Sequence, residues 1–356
     1  MSLLGFDGFT AYSVPGDMVN RWTRGGDQAN AAINLSGGQN ERGGLRLGLN
    51  DRTYDEFYWN LVSLKTNITV GFWLKLEDFD STNALYDMVL KLNSTTSTRL
   101  SMRIYQDGSV RFHRLTNSTL LFDSADTADT FDGTQKYLSY GSEYKIELRV
   151  NMVNSTGTLE FRVNDEIWFL GEGNVDLDGT VNRIYFVTGE EGSGLSYEVS
   201  DFWITEADGT SPETFLGAGF QVEVQRPTAE SATIAFTPDT GTDNSAMVDD
   251  APRHDADATA NESTSNAQVD RYTSTATVAG QRVLGVNVVN VARHLGTAQN
   301  MRAVIFENAT AGNGSDVALT AEFLPYHELF TQNPDTVAEW TPAEVDAAEF
   351  GLESRA

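Results

Sequence analysis

The chain has no cysteine in 356 residues, which removes disulfides, thiolate zinc sites and cysteine nucleophiles together. It is also poor in positive charge: 24 basic residues stand against 51 acidic ones, for a formal charge of −27. Such a surface repels phosphate backbones, so neither DNA nor RNA is expected as a partner. Lysine occurs only at Lys65, Lys75, Lys91, Lys136 and Lys145, and arginine supplies every later cation. A carboxylate-rich, lysine-poor surface stays hydrated where salt screens its self-repulsion, which suits a marine or halophilic setting. No apolar run approaches the ~18–20 residues that cross a bilayer, so no membrane partner is expected. The opening MSLLGFDGF lacks a basic stretch ahead of a long apolar one. A signal peptide is therefore not expected, and synthesis in a cytoplasm is.

What the sequence has in abundance is a period of two. In ITVGFWLKL, Ile68, Val70, Phe72, Leu74 and Leu76 fall on one face of a strand, with Trp73 and Lys75 on the other. RLSMRIYQDGSVRFHR alternates twice around a Gln106-Asp107-Gly108 turn, and YKIELRVNM, TLEFRVNDEIWF, NRIYFVTG and EVSDFWIT continue the pattern. These short strands with turn chemistry between them predict an antiparallel sandwich over 1–208. Polar residues with Pro212 predict a linker over 209–218. A second, mostly β domain is expected over 219–356. Within it 237–280 has hardly a large apolar residue, so a long acidic loop, ordered by a neighbour rather than by its own core, is expected there. One short helix closes the chain: Thr341 as N-cap, Pro342 at the first helical position, Glu344 completing a capping box, and Gly351 as the stop. The fold class is all-β.

GFDGF, GGLRLGL, ITVGFWLKL and the YKIELRVN…GTLEFRVND hairpin resemble the concanavalin A-like jelly roll of laminin-G-type modules. The succession SDFWITEADGTSPETFLG, FQVEVQRP, FTPDTGTDNSAMVDDAPRHDADATA, VLGVNVVNVAR and NPDTVAEWTPAEVDAAEFGL is similar to a family of virion structural proteins from tailed bacteriophages and related viruses. The resemblance covers nearly the whole chain. It departs at HDADATANES, where family members carry a run like DDTTYV, so the tyrosine anchor is missing. The resemblance implies a non-enzymatic, surface-exposed component of a virus particle, made in the host cytoplasm and located in the virion. A capsid decoration (cement) protein is expected first, because rods and coiled-coil heptads are absent. A tail or fibre component binding host-surface glycans through the jelly roll is the alternative. Other virion proteins are the expected partners, in a symmetric homo-oligomer, a trimer by habit of such appendages.

Four groups of residues bear on chemistry. Trp73 and Trp203 stand out of phase with their apolar neighbours and are the candidate glycan-stacking residues, with packing beneath the linker or against a neighbouring subunit as the bland alternative. NVDLDGT places Asn174, Asp176 and Asp178 at alternating positions before a glycine, like half of a calcium loop without its closing glutamate. A structural calcium, common in laminin-G-like modules, is the one cofactor this leaves open; none other is expected. MVDDAPRHDAD crowds Asp249, Asp250, His254, Asp255 and Asp257 together. With one histidine on no regular element it suits a metal poorly, and a subunit-contact loop is expected instead, its aspartates accepting from amides or arginines. A retaining glucanase needs two carboxylates close together on one strand face. Glu147 and the pair Glu160 with Asp165 are the nearest approach, at ordinary polar-face positions, so catalysis is not expected.

Overall fold

The alternating stretches form strands throughout. The computed structural model describes residues 2–9, 12, 18, 20–26, 32–34, 44–48, 55–80, 86–94, 97–114, 119–153, 156–171, 175, 177, 179–188, 194–206, 215–217, 219–250, 258–277, 281–296 and 299–356. The first eight strands are β1 (Ser2–Asp7), β2 (Trp22–Gly26), β3 (Ala32–Asn34), β4 (Gly44–Leu47), β5 (Asp55–Lys65), β6 (Asn67–Asp80), β7 (Tyr86–Ser94) and β8 (Ser97–Tyr105). They continue as β9 (Val110–Arg114), β10 (Thr119–Asp123), β11 (Glu143–Asn151), β12 (Thr158–Val163), β13 (Glu166–Gly171), β14 (Val181–Thr188) and β15 (Gly194–Glu206). One antiparallel sheet of eight strands runs β13-β12-β11-β6-β15-β4-β3, with β1 also on β15. A second, of seven, runs β10-β9-β8-β7-β14-β5-β2. The two inner faces meet in an aromatic core. Trp22 packs on Trp59, Phe186 and Phe202, while Phe161 packs on Phe112 and Trp168, all at centroid separations of 5–6 Å. Trp22 Nε1 is satisfied in this core, donating to Asp7 at 2.9 Å. This is the expected all-β jelly-roll sandwich.

The remaining elements are β16 (Pro227–Glu230), β17 (Thr237–Pro238), β18 (Asn261–Glu262), β19 (Val269–Ser274), β20 (Val286–Ala292), β21 (Asn300–Glu307), β22 (Thr310–Asn313), β23 (Val317–Ala318), β24 (Leu324–Phe330), α1 (Pro342–Ala347) and β25 (Glu349–Arg355). A six-stranded sheet runs β16-β19-β25-β21-β22 with β23 on β21, and β17-β18 and β20-β24 form two small ribbons. The apolar centre is Ile305, Trp340, Val345 and Ala348.

The chain divides into two units, Met1–Phe9 with Trp22–Val222 and Thr10–Arg21 with Glu223–Ala356. The expected boundary therefore needs two corrections. Thr10–Arg21 belongs to the second unit, where Tyr12 is fully buried against His327 and Asn20 donates to the Pro325 carbonyl at 3.1 Å. The end of the expected linker belongs to the first unit, because Glu147 accepts from the amides of Leu216 and Gly217. The helix has its capping box on Thr341 and Glu344, but it ends at Ala347, before Gly351. Gly351 lies in β25, where a Cβ would stand 1.9 Å from the Asp270 carbonyl oxygen, so the glycine serves close strand approach rather than helix termination.

The acidic loop expected over 237–280 is also corrected. Its described parts hold the β17–β18 pair, strand β19 and a 3-10 turn over Ser245–Met247, organised on a carboxylate instead of an apolar core. Asp270 is fully buried. One of its oxygens accepts from the amides of Ala235 and Phe236, at 2.7 and 2.8 Å. The other accepts from Asn244 Nδ2 and the Tyr272 hydroxyl, at 2.7 and 2.8 Å. Asn261 closes the ring by donating to the Asn244 carbonyl and the Tyr272 oxygen. Burial and the adjacent Asp270 push the Tyr272 hydroxyl far above its ordinary range, so it stays a donor.

Candidate functional site

Of the two candidate tryptophans, Trp203 is fully buried. It pairs with Gly71 across β15 and β6, its ring filling the space where a Gly71 Cβ would stand at 2.1 Å, and Phe220 packs on it at 5.7 Å. A ring closed off on both sides cannot stack on a sugar, so Trp203 is corrected to a packing residue. Trp73 is half-buried and lines a dent with Lys75, Glu143, Glu198 and Ser200 that is too shallow to enclose a water molecule. The rest of this outer face of the eight-stranded sheet is largely spoken for. Lys145 and Glu147, both 1 % exposed, pair at 3.2 Å. Glu160 is clasped between Arg149 and Arg162, and Phe215 lies beneath the Arg162 guanidinium at 4.0 Å. Glu147 and Glu160 are thus structural anchors.

In MVDDAPRHDAD, Arg226 Nε donates to the backbone carbonyl of Asp250 at 2.7 Å, an arginine contact made at the main chain. Asp249 is exposed. His254, Asp255 and Asp257 lie outside the described residues, as do Asn174, Asp176 and Asp178 of the half calcium loop. Among the described residues no group of three acidic or histidine side chains is placed to hold a metal.

The concentration of chemistry lies elsewhere, on the outer face of the seven-stranded sheet. Strand pairing places Thr23, Tyr58, Tyr185, Lys91, Ser101, His113 and Leu120 opposite one another in a single row across all seven strands. The flanking rows, among them Phe57, Phe186, Leu90, Met102 and Phe112, are buried in the core, so by the pleat this row faces outward. From Tyr58 to His113 it crosses four strand spacings, about 19 Å. The Tyr58 and Tyr185 rings lie 4.6 Å apart at 31°. Lys91 Nζ stands 5.2 Å from the Tyr185 centroid and 3.4 Å from Glu56, and Arg183 reaches over Tyr58 while donating to the Tyr185 oxygen at 3.4 Å.

Beside this row, Arg103 and Arg111 face each other directly across β8 and β9. Like charges at facing positions oppose each other. Each is stacked on a tyrosine, Arg103 on Tyr86 at 4.6 Å and Arg111 on Tyr105 at 3.9 Å, and Arg111 also pairs with Asp123 at 2.7 Å. Four cations and four tyrosines therefore share one face with two carboxylates, in a chain whose net charge is −27. The sequence carries the signal in the polar phase of the alternating strands, as R-x-Y in RIY, R-x-H in RFH and R-x-Y again in RIYF.

His113 is held down to about pH 4, first by burial and then by Arg103 and Arg111, with Asp123 opposing them. Between the ordinary value of 6.5 and about 4 the unfolded chain binds a proton that the folded chain refuses. Stability should fall as pH falls through that window, with the whole loss incurred below it. His327, buried beside Arg21, shifts in the same direction. The readout is therefore the difference between proteins: the urea midpoint of His113→Gln should drop less between pH 7 and pH 4.5 than that of the parent chain.

No family model and no curated protein sequence matches the chain. Among solved structures, a sialidase is similar at 12% identity with TM-score 0.41, over 64% of this chain and 22% of that one. Alginate lyase Aly36B is similar at 12% identity and TM-score 0.39, over 58% of this chain and 97% of the lyase. The metal-free Emp46p carbohydrate recognition domain is similar at 12% identity and TM-score 0.37, over 57% of this chain and 94% of the domain. The chain thus spans about a fifth of the sialidase's length.

Proposed function

We propose that the chain is a surface component of a tailed virus particle whose first unit binds glycans on the outer face of its seven-stranded sheet. The observation that carries the binding reading is the single outward row from Tyr58 to His113, with two touching tyrosine rings at one end and cations along it. Tyrosines offer rigid apolar area with a polar rim, and the cations offer hydrogen bonds to hydroxyls. The row is long enough for an oligosaccharide. The virion setting is supported by the ordered segments from SDFWITEADG to AEVDAAEFGL, and the outward tyrosine row favours a tail or fibre component over a capsid decoration protein. A homo-oligomer, a trimer in particular, would multiply weak single contacts.

The role is binding without turnover. On a glycan array the whole chain should bind oligosaccharides, and binding should survive Trp73→Ala and vanish when Tyr58 and Tyr185 are both replaced by alanine. The bound oligosaccharide should be recovered intact. New reducing ends or unsaturated products would make the same face an active site, and an empty array would remove the reading. Antibody label on virions should sit on the tail in negative stain; label on the head would restore the decoration role, and label on neither would remove the virion setting.

A further inference from the structure

Arg103 is 3 % exposed, yet its Nε and Nη2 have no hydrogen-bond partner. These two atoms form one edge of the guanidinium, the edge that takes both oxygens of a carboxylate side-on. Its facing neighbour is Arg111, a second cation, and the nearby His113 Nε2 also lacks a partner. Asp123, the acid at this end of the face, is bonded to Arg111. Buried donors are ordinarily satisfied, so an orphaned guanidinium edge beside a second arginine marks a place for an anion. Polysaccharides carry their carboxylates at intervals along a chain, and this pair sits two residues along each strand, on the same face, from the row proposed to hold the chain. Resting on that glycan reading, we propose that Arg103 and Arg111 form an anion subsite, which takes the carboxylate of an acidic, uronate-type sugar while the tyrosine platform holds its neighbours.

The proposal is tested by calorimetry on the whole chain with three probes: a uronate oligosaccharide, its carboxyl-reduced neutral counterpart, and sodium sulfate. The uronate should bind at least about tenfold more tightly than the reduced form. Arg103→Gln should erase that preference, and Arg103→Lys should fail to restore it, because an ammonium cannot make the paired side-on contact. If Arg103→Gln lowers the melting temperature, the half-exposed Arg111→Gln carries the same comparison. Equal binding of acidic and neutral forms overturns the anion subsite and leaves the glycan reading standing. Binding of neither overturns both. Sulfate competing as well as the oligosaccharide makes this a free-anion site and likewise overturns the proposal.

Discussion

Asp270→Ala is expected to destabilise the second unit by at least about 3 kcal/mol, because it orphans several buried donors at a cost of about 1–3 kcal/mol each. The four donors are the amides of Ala235 and Phe236, Asn244 Nδ2 and the Tyr272 hydroxyl, and all are aimed at this one carboxylate. Water entering the cavity would recover part of the loss, so the full sum is not reached. Asn244 and Asn261 hold the flanking turn and ribbon through the same ring of bonds, which makes the loss cooperative across residues 230–277. Asp270→Asn keeps the shape but turns one acceptor into a donor facing donors, so it should destabilise as well, and by less. Hydrogen exchange under native conditions checks this: protection should fall across the described amides of 230–277 while β6 and β11 of the first unit keep theirs. Unchanged protection in Asp270→Ala would mean that the hub does not organise this unit.

Replacing Tyr58 and Tyr185 together by alanine is expected to weaken glycan binding by at least about 2 kcal/mol, roughly thirtyfold in Kd. The two rings form one continuous platform, and their neighbours hold it in place before a ligand arrives: Arg183 over Tyr58, and Lys91 over Tyr185. A platform held in advance loses little freedom on binding, so most of its contact energy appears as affinity. Tyr185 is only 6 % exposed, so its truncation will also cost some folding stability. Tyr58→Phe with Tyr185→Phe separates the effects, since it keeps the rings and removes the hydroxyls. That pair should retain most of the affinity if stacking dominates, and titration calorimetry at a temperature below both melting points decides it.

Alternation reveals where the strands lie, and it does so because sandwich strands need one apolar face whatever the other carries. Ile68 to Leu76 and Leu100 to Ile104 are legible for that reason, and so is the capping box at Thr341. The polar phase of the same strands holds the candidate site. It is harder to read, because a polar side chain on a strand looks the same whether it is solvated or gathered with others from distant strands. Lys91, Arg103, His113 and Tyr185 are scattered over 95 positions and meet only through the order β9-β8-β7-β14. The search for exposed tryptophans leads to the opposite sheet, where Gly71 and Phe220 enclose Trp203. The 237–280 stretch misleads for a different reason. Apolar content measures one route to burial, and a carboxylate that satisfies four donors provides another.

Hydroxyl-radical footprinting of the whole chain, with and without an oligosaccharide that it binds, tests the central claim most directly. The account predicts that the ligand shields Tyr58, Tyr105 and His113 from oxidation and leaves Trp73 unchanged. Shielding of Trp73 with those three residues unaltered would place the ligand on the other sheet and contradict it.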